Sequence, residues 1–139
     1  MTFPSRTPLV LAIAASLALA AGGAIAQGAL KLSGDQEVPP VSTSATGAGT
    51  ITVAPDGAVS GSVDATGLAG TMAHIHMAPA GKNGPVIVPL VKSGDGTWSV
   101  PPGAKLTPEQ LKAYQAGDLY VNVHTEANKG GEIRSQLKP

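Results

Sequence analysis

Beyond an apolar start, the chain runs as short alternating stretches punctuated by glycine and proline. Ala29–Ser33 alternates and predicts an opening strand. Gln36–Ser44 carries consecutive prolines and predicts extended chain outside a central ladder. Gly49–Val53 and Ala58–Ala65 predict a hairpin around Pro55-Asp56-Gly57, where proline presets φ and glycine accepts positive φ. Thr71–Met77, Val86–Val91 and Thr97–Val100 predict three further strands, with Ala78–Pro85 as a loop. The period then changes. Thr107 and Gln110 frame a capping box, Pro108 stands at the first helical position, and Leu111 and Tyr114 lie three apart on one face. With Gly117 suited to the position after the C-cap, these predict one helix, Pro108–Ala116. Asp118–Thr125 and Glu132–Leu137 predict the closing strands, joined by a turn at Ala127–Gly131. The expected architecture is all-β: a Greek-key sandwich or barrel of about seven to nine short antiparallel strands, with one short helix before the penultimate strand.

The apolar start has a different meaning. Arg6 is the only charged side chain before Lys31, Leu9–Ala21 is apolar, and Ala24-Ile25-Ala26 has the small residues of a cleavage site. Met1–Ala26 is therefore expected to be a secretory signal peptide. Its apolar run is shorter than the roughly 20 residues that span a bilayer, so an uncleaved anchor is the lesser alternative. No cysteine follows it to carry a lipid. Residues 27–139 remain as one expected domain, exported to the periplasm or the medium.

Losing Arg6 leaves eight basic against nine acidic residues, a net charge of −1. That balance offers no basic face for nucleic acid, and no second apolar segment is long enough to cross a membrane. With no cysteines there are no disulfides and no thiolate metal site. Aromatics are 3% of the chain, so the core must come from Val, Ile, Leu and Ala.

The candidate chemistry lies in the histidines. His74, His76 and His124 all fall in predicted strands. Alternation puts Met72, His74 and His76 on one face and Ala73, Ile75 and Met77 on the other. In the later strand Tyr120, Asn122 and His124 oppose Leu119, Val121 and Val123, so all three histidines are expected to point away from the core. Imidazoles suit Cu, Zn, Ni and Fe, and a soft thioether from Met72 tilts the set towards copper, including Cu(I). The metal site, His74, His76, His124 and Met72, requires the two strands to lie close together. Proton competition is expected to weaken binding below a pH of about 6.5. An H-x-H pair also occurs on plain exposed strands, and methionines serve more often in packing than as ligands. No catalytic residue is assigned: Glu126 reads as solvated, and Asp35, Glu37 and Asp118 lack acid–base spacing. There is no nucleophile elbow, and Gly81-Lys82-Asn83-Gly84 is not a P-loop.

The segments Gly67-Leu68, Ala73–His76, Gly84-Pro85-Val86, Leu106-Thr107 with Leu111, Gly117–Thr125, Gly130–Arg134 and Gln136-Leu137 together resemble the CHRD domain. The resemblance runs from about Leu30 to Leu137 and implies an extracellular β-domain without a defined activity. More distantly, His74-Ile75-His76 followed by a strand ending in His124 is similar to the copper-ligand order of copper/zinc superoxide dismutases, which are Greek-key barrels with copper outside the barrel. This likeness implies copper on His74, His76 and His124. It also makes Arg134, on the outward face of the last strand, the candidate anion-guiding arginine, with a surface salt bridge as the alternative. The chain lacks the fourth, bridging histidine, a zinc-ligand set in Ala78–Pro85 and the cysteines, which excludes zinc of that type. Three functions remain open: an exported copper binder that sequesters, carries or buffers the ion; a metal-free module that binds an exported protein or matrix polymer; and a copper-only enzyme of the dismutase type.

Overall fold

Among the described residues, alternation of Val, Ile and Leu with small polar residues accompanies nine short strands, and the chain forms one α-helix. The computed structural model describes residues 28–139, so the leader expected over Met1–Ala26 lies outside the described residues. The strands are β1 (Leu30–Ser33), β2 (Thr46–Val53), β3 (Val59–Thr66), β4 (Met72–Met77), β5 (Val86–Pro89), β6 (Val91–Lys92), β7 (Thr97–Ser99), β8 (Leu119–His124) and β9 (Ile133–Gln136). The helix α1 spans Pro108–Gln115. Every pairing is antiparallel, in the order β5-β4-β8-β9-β1-β2-β3-β7-β6.

The two ends of this order meet. β5 pairs with β4 and β6 with β7, yet Leu90 alone separates β5 from β6. The Leu90 N–H donates to the Ala73 carbonyl at 2.9 Å. One extended run thus hands over from one edge to the other and nearly closes the sheet into a barrel, which protects its edges. The expected single strand Val86–Val91 is broken at this handover. β8 returns through the connection carrying α1 to lie beside β4, the Greek-key path.

Local signals explain the elements. The capping box forms as expected: Thr107 Oγ1 accepts from the Gln110 N–H at 3.2 Å, and Gln110 Oε1 accepts from the Thr107 N–H at 3.0 Å. The helix stops one residue early, with Ala116 as C-cap. β2 begins at Thr46 rather than Gly49, because pairing with β1 continues to Ser33↔Thr46 and satisfies its backbone. In the proline segment, Gly34–Gln36 forms one 3-10 turn and Val38–Pro39 is cis.

Inward positions make one core. Leu32, Ile51, Val63, Ile75, Leu119, Val121, Val123, Ile133 and Leu137 are all buried there, and Tyr114 of α1 packs on them. The outer face of β4, β8 and β9 is covered as well. Asn83 Nδ2 donates to the Val38 carbonyl at 2.7 Å, the Gly84 N–H to Tyr120 Oη at 3.2 Å, and Gln136 Nε2 to the Ala78 carbonyl at 2.8 Å. Loop upon loop thereby forms a second, polar layer, and every residue of β8 is buried on either face. Among the described residues no helix is long and apolar enough to cross a membrane.

Candidate metal centre

The pairing of β4 with β8 builds the site. It sets Met72 opposite His124, His74 opposite Asn122 and His76 opposite Tyr120. Directly opposed side chains on one face lie about 5 Å apart at Cβ. Ala73, Ile75, Val121 and Val123 take the inward positions, so all three histidines point away from the core, as expected. Ring centroids are 5.5 Å apart for His74 and His76, 4.8 Å for His74 and His124, and 5.8 Å for His76 and His124. The outward face is not open, however. His76 and His124 are buried and His74 is half-buried, while Met72 stands 50% exposed beside them.

Hydrogen bonds orient two of the rings. His76 Nδ1 lies 3.0 Å from the Gly84 carbonyl, and His124 Nδ1 lies 2.8 Å from the Lys129 carbonyl. A carbonyl only accepts, so each of these rings carries its proton on Nδ1 and presents a bare Nε2. His74 Nδ1 lies 3.0 Å from His124 Nε2. One nitrogen from each ring falls within 4.8 Å of the others. Imidazole nitrogens bind metals at about 2.0 Å, so two on opposite sides of an ion stand about 4 Å apart. The widest pair must therefore close by about 0.8 Å, within the reach of side-chain rotation. His76 Nε2 has no hydrogen-bond partner although it is buried, an orphaned lone pair that suits a cation.

Electrostatics favour the neutral forms of His74 and His76, the form in which an imidazole can bind a metal. Burial, then the neighbouring His124 and His76, lowers the His74 pKa to about 4. Burial lowers that of His76 too, against the opposing pull of the Gly84 carbonyl. Proton competition at His74 thus sets in well below the pH of about 6.5 expected from a free imidazole.

Beneath the rings lies a layer that alternation did not reveal. Tyr120 stacks on His76, with centroids 4.7 Å apart and planes 2° from parallel, and Arg134 Cζ sits 3.4 Å from the Tyr120 ring centroid. Arg134 faces outward as expected, but it is 1% exposed and makes no surface salt bridge. It donates instead to the Asn83 side chain, the Pro79 carbonyl and Gln136, tying down the loop whose Gly84 orients His76. Gly84 is required there, since a Cβ would collide with the Met77 carbonyl.

Glu37, passed over in the sequence, is buried, and its Oε1 accepts from Asn122 Nδ2 at 3.4 Å. Burial raises its pKa to about 7, against the Asn122 hydrogen bond and the charge of Arg134. Only the neighbouring prolines hinted that this segment folds against the sheet. Asn122 was legible as an outward position beside His124, but not as a buried one. Glu126 is exposed, 3.9 Å from Lys129 Nζ, as its solvated reading requires.

Neither a curated protein nor a solved structure matches the chain. The CHRD domain matches it over residues 29–137. That span takes in all nine strands and all three histidines, and the chain therefore belongs to the CHRD domain family.

Proposed function

We propose that this protein is an exported copper-binding protein that sequesters, carries or buffers the ion through His74, His76 and His124. The observation that carries this reading is the convergence of three imidazoles on one patch, two with their Nδ1 protons committed to backbone carbonyls and one with an unpaired buried Nε2. A set of nitrogens without thiolates follows the general order in which copper outcompetes other first-row divalent ions. Met72, half exposed and opposite His124, stands ready to add a thioether to Cu(I). The family and the signal-like N-terminus support placement outside the cytoplasm.

Titration of the protein with Cu(I) and Cu(II) tests the proposal. The His76→Ala, His124→Ala double variant should lose at least about 100-fold in affinity, since two of three ligands go. Undiminished binding by that variant would refute it. A superoxide assay on the copper-loaded protein separates carriage from redox catalysis of the dismutase type.

A further inference from the structure

The patch holding the three histidines also contains a polar side chain with one unpaired atom. Asn122 lies opposite His74, between Tyr120 and His124 along β8, and is 1% exposed. Its Nδ2 donates to Glu37 Oε1 at 3.4 Å and to the Gly130 carbonyl at 3.3 Å. These contacts decide the amide orientation, because the flipped amide would set Oδ1 against the Gly130 carbonyl, acceptor against acceptor. Gly131 keeps the arrangement tight: at φ +125°, a Cβ there would strike Glu37 Oε1 and Asn122 Nδ2. With Nδ2 so committed, Oδ1 is buried without a hydrogen bond.

The other orphan at this patch is His76 Nε2. Asn122 is near enough to His76 to favour its charged form, yet the two make no bond of acceptable geometry. They cannot satisfy each other while the His76 proton sits on Nδ1, because a bare ring nitrogen and an amide oxygen are both acceptors. Two neighbouring acceptors without a donor are chemically suited to a cation.

We propose that Asn122 Oδ1 is the fourth donor of the metal centre, an oxygen on its buried side. This rests on the copper-binding function proposed above. The consequence is selectivity for oxidation state. A carboxamide oxygen is a hard donor that favours Cu(II), whereas the Met72 thioether on the exposed side is soft and favours Cu(I).

The test compares the wild-type protein with Asn122→Leu, which keeps the shape and loses the oxygen, and Asn122→Asp, which keeps an oxygen and adds charge. Each is titrated with Cu(II) and Cu(I), and the Cu(II) forms are compared by electron paramagnetic resonance. Asn122→Leu should weaken Cu(II) about 10-fold or more while Cu(I) changes by less than about 3-fold. Each tenfold difference raises the copper potential by about 59 mV. Asn122→Asp should tighten Cu(II) and alter its hyperfine coupling.

Equal losses for both ions in Asn122→Leu would mean a structural role and overturn the proposal. Unchanged Cu(II) affinity and spectrum would overturn it too, and would leave the histidine site standing if wild type still binds. A wild-type protein that binds no copper overturns both readings together. Should Asn122→Leu fail to fold, an Asn122→Asp spectrum identical to wild type overturns the proposal on its own.

Discussion

Glu37→Gln is expected to stabilise the metal-free protein above neutral pH and to leave it nearly unchanged in mild acid. The Glu37 carboxyl is 4% exposed, and burial raises its pKa from 4.5 to about 7. The opposing attraction of Arg134 loses because no ion pair joins them; among the described residues the one ion pair is Lys129–Glu126 at the surface. The unfolded chain releases this proton near pH 4.5, while the folded chain holds it until about pH 7. A group raised in this way supports stability below its unfolded pKa, loses that support as pH climbs from 4.5 through 7, and is flat beyond. At about 1.4 kcal/mol per pKa unit, the loss at pH 8 is about 3 kcal/mol. Glutamine keeps an oxygen for Asn122 and removes the titration. Urea unfolding at pH 4.5 and pH 8 should show a gain of about 3 kcal/mol at pH 8 only. Destabilisation at pH 8 would refute the reasoning, since it would mean that the ionised carboxylate gains more from Arg134 than its burial costs. An equal change at both pH values would place the effect in shape rather than charge.

Four further outcomes are expected. His74 is held neutral down to about pH 4, so the unfolded chain takes up its proton first as pH falls below 6.5; the metal-free protein should lose about 1–2 kcal/mol between pH 6.5 and 4, after discounting for its half-open position, as read by thermal or urea unfolding of His74→Gln against wild type. For the same reason copper affinity measured by competition at pH 7 and 5 should fall by less than the roughly 30-fold per imidazole that a free pKa of 6.5 imposes. Met72→Leu should weaken Cu(I) about 10-fold and leave Cu(II) nearly unchanged in parallel titrations. Gly131→Ala should cost about 1–3 kcal/mol in urea unfolding, since a side chain at φ +125° is strained and its Cβ meets Glu37 and Asn122.

The strands and the helix were legible because their causes are local. Val121 and Val123 alternating with Asn122 and His124 say which side is inward, and Thr107, Pro108 and Gln110 announce a helix start by the hydrogen bonds they can make. The junction at Leu90 was not legible. Val86–Val91 is uniformly apolar, and only the barrel's closure requires it to change partners from β4 to β7. Nor could alternation show that β4 and β8 are neighbours, because their pairing joins residues about 50 positions apart. The histidine trio was therefore nameable as a set, but its convergence depended on topology.

Alternation also distinguishes two faces of a strand without saying whether the second meets water. Arg134 faces outward, as alternation requires, yet the structure buries it. The covering loops account for most of the site's character. They exclude water from His76 and lower its pKa, and they supply the Gly84 and Lys129 carbonyls that turn each Nε2 towards its neighbours. A bare barrel wall would carry the same three imidazoles as solvated, freely rotating rings. The cover is incomplete on one side, where His74 is half-buried and Met72 is exposed, so on the proposed copper-binding function the ion would arrive past the thioether and settle towards the buried Asn122 amide. With a soft donor at the mouth and a hard one at the base, as proposed, the approach would suit Cu(I) and the resting position Cu(II). That ordering is a property of the loops' placement rather than of the H-x-H motif.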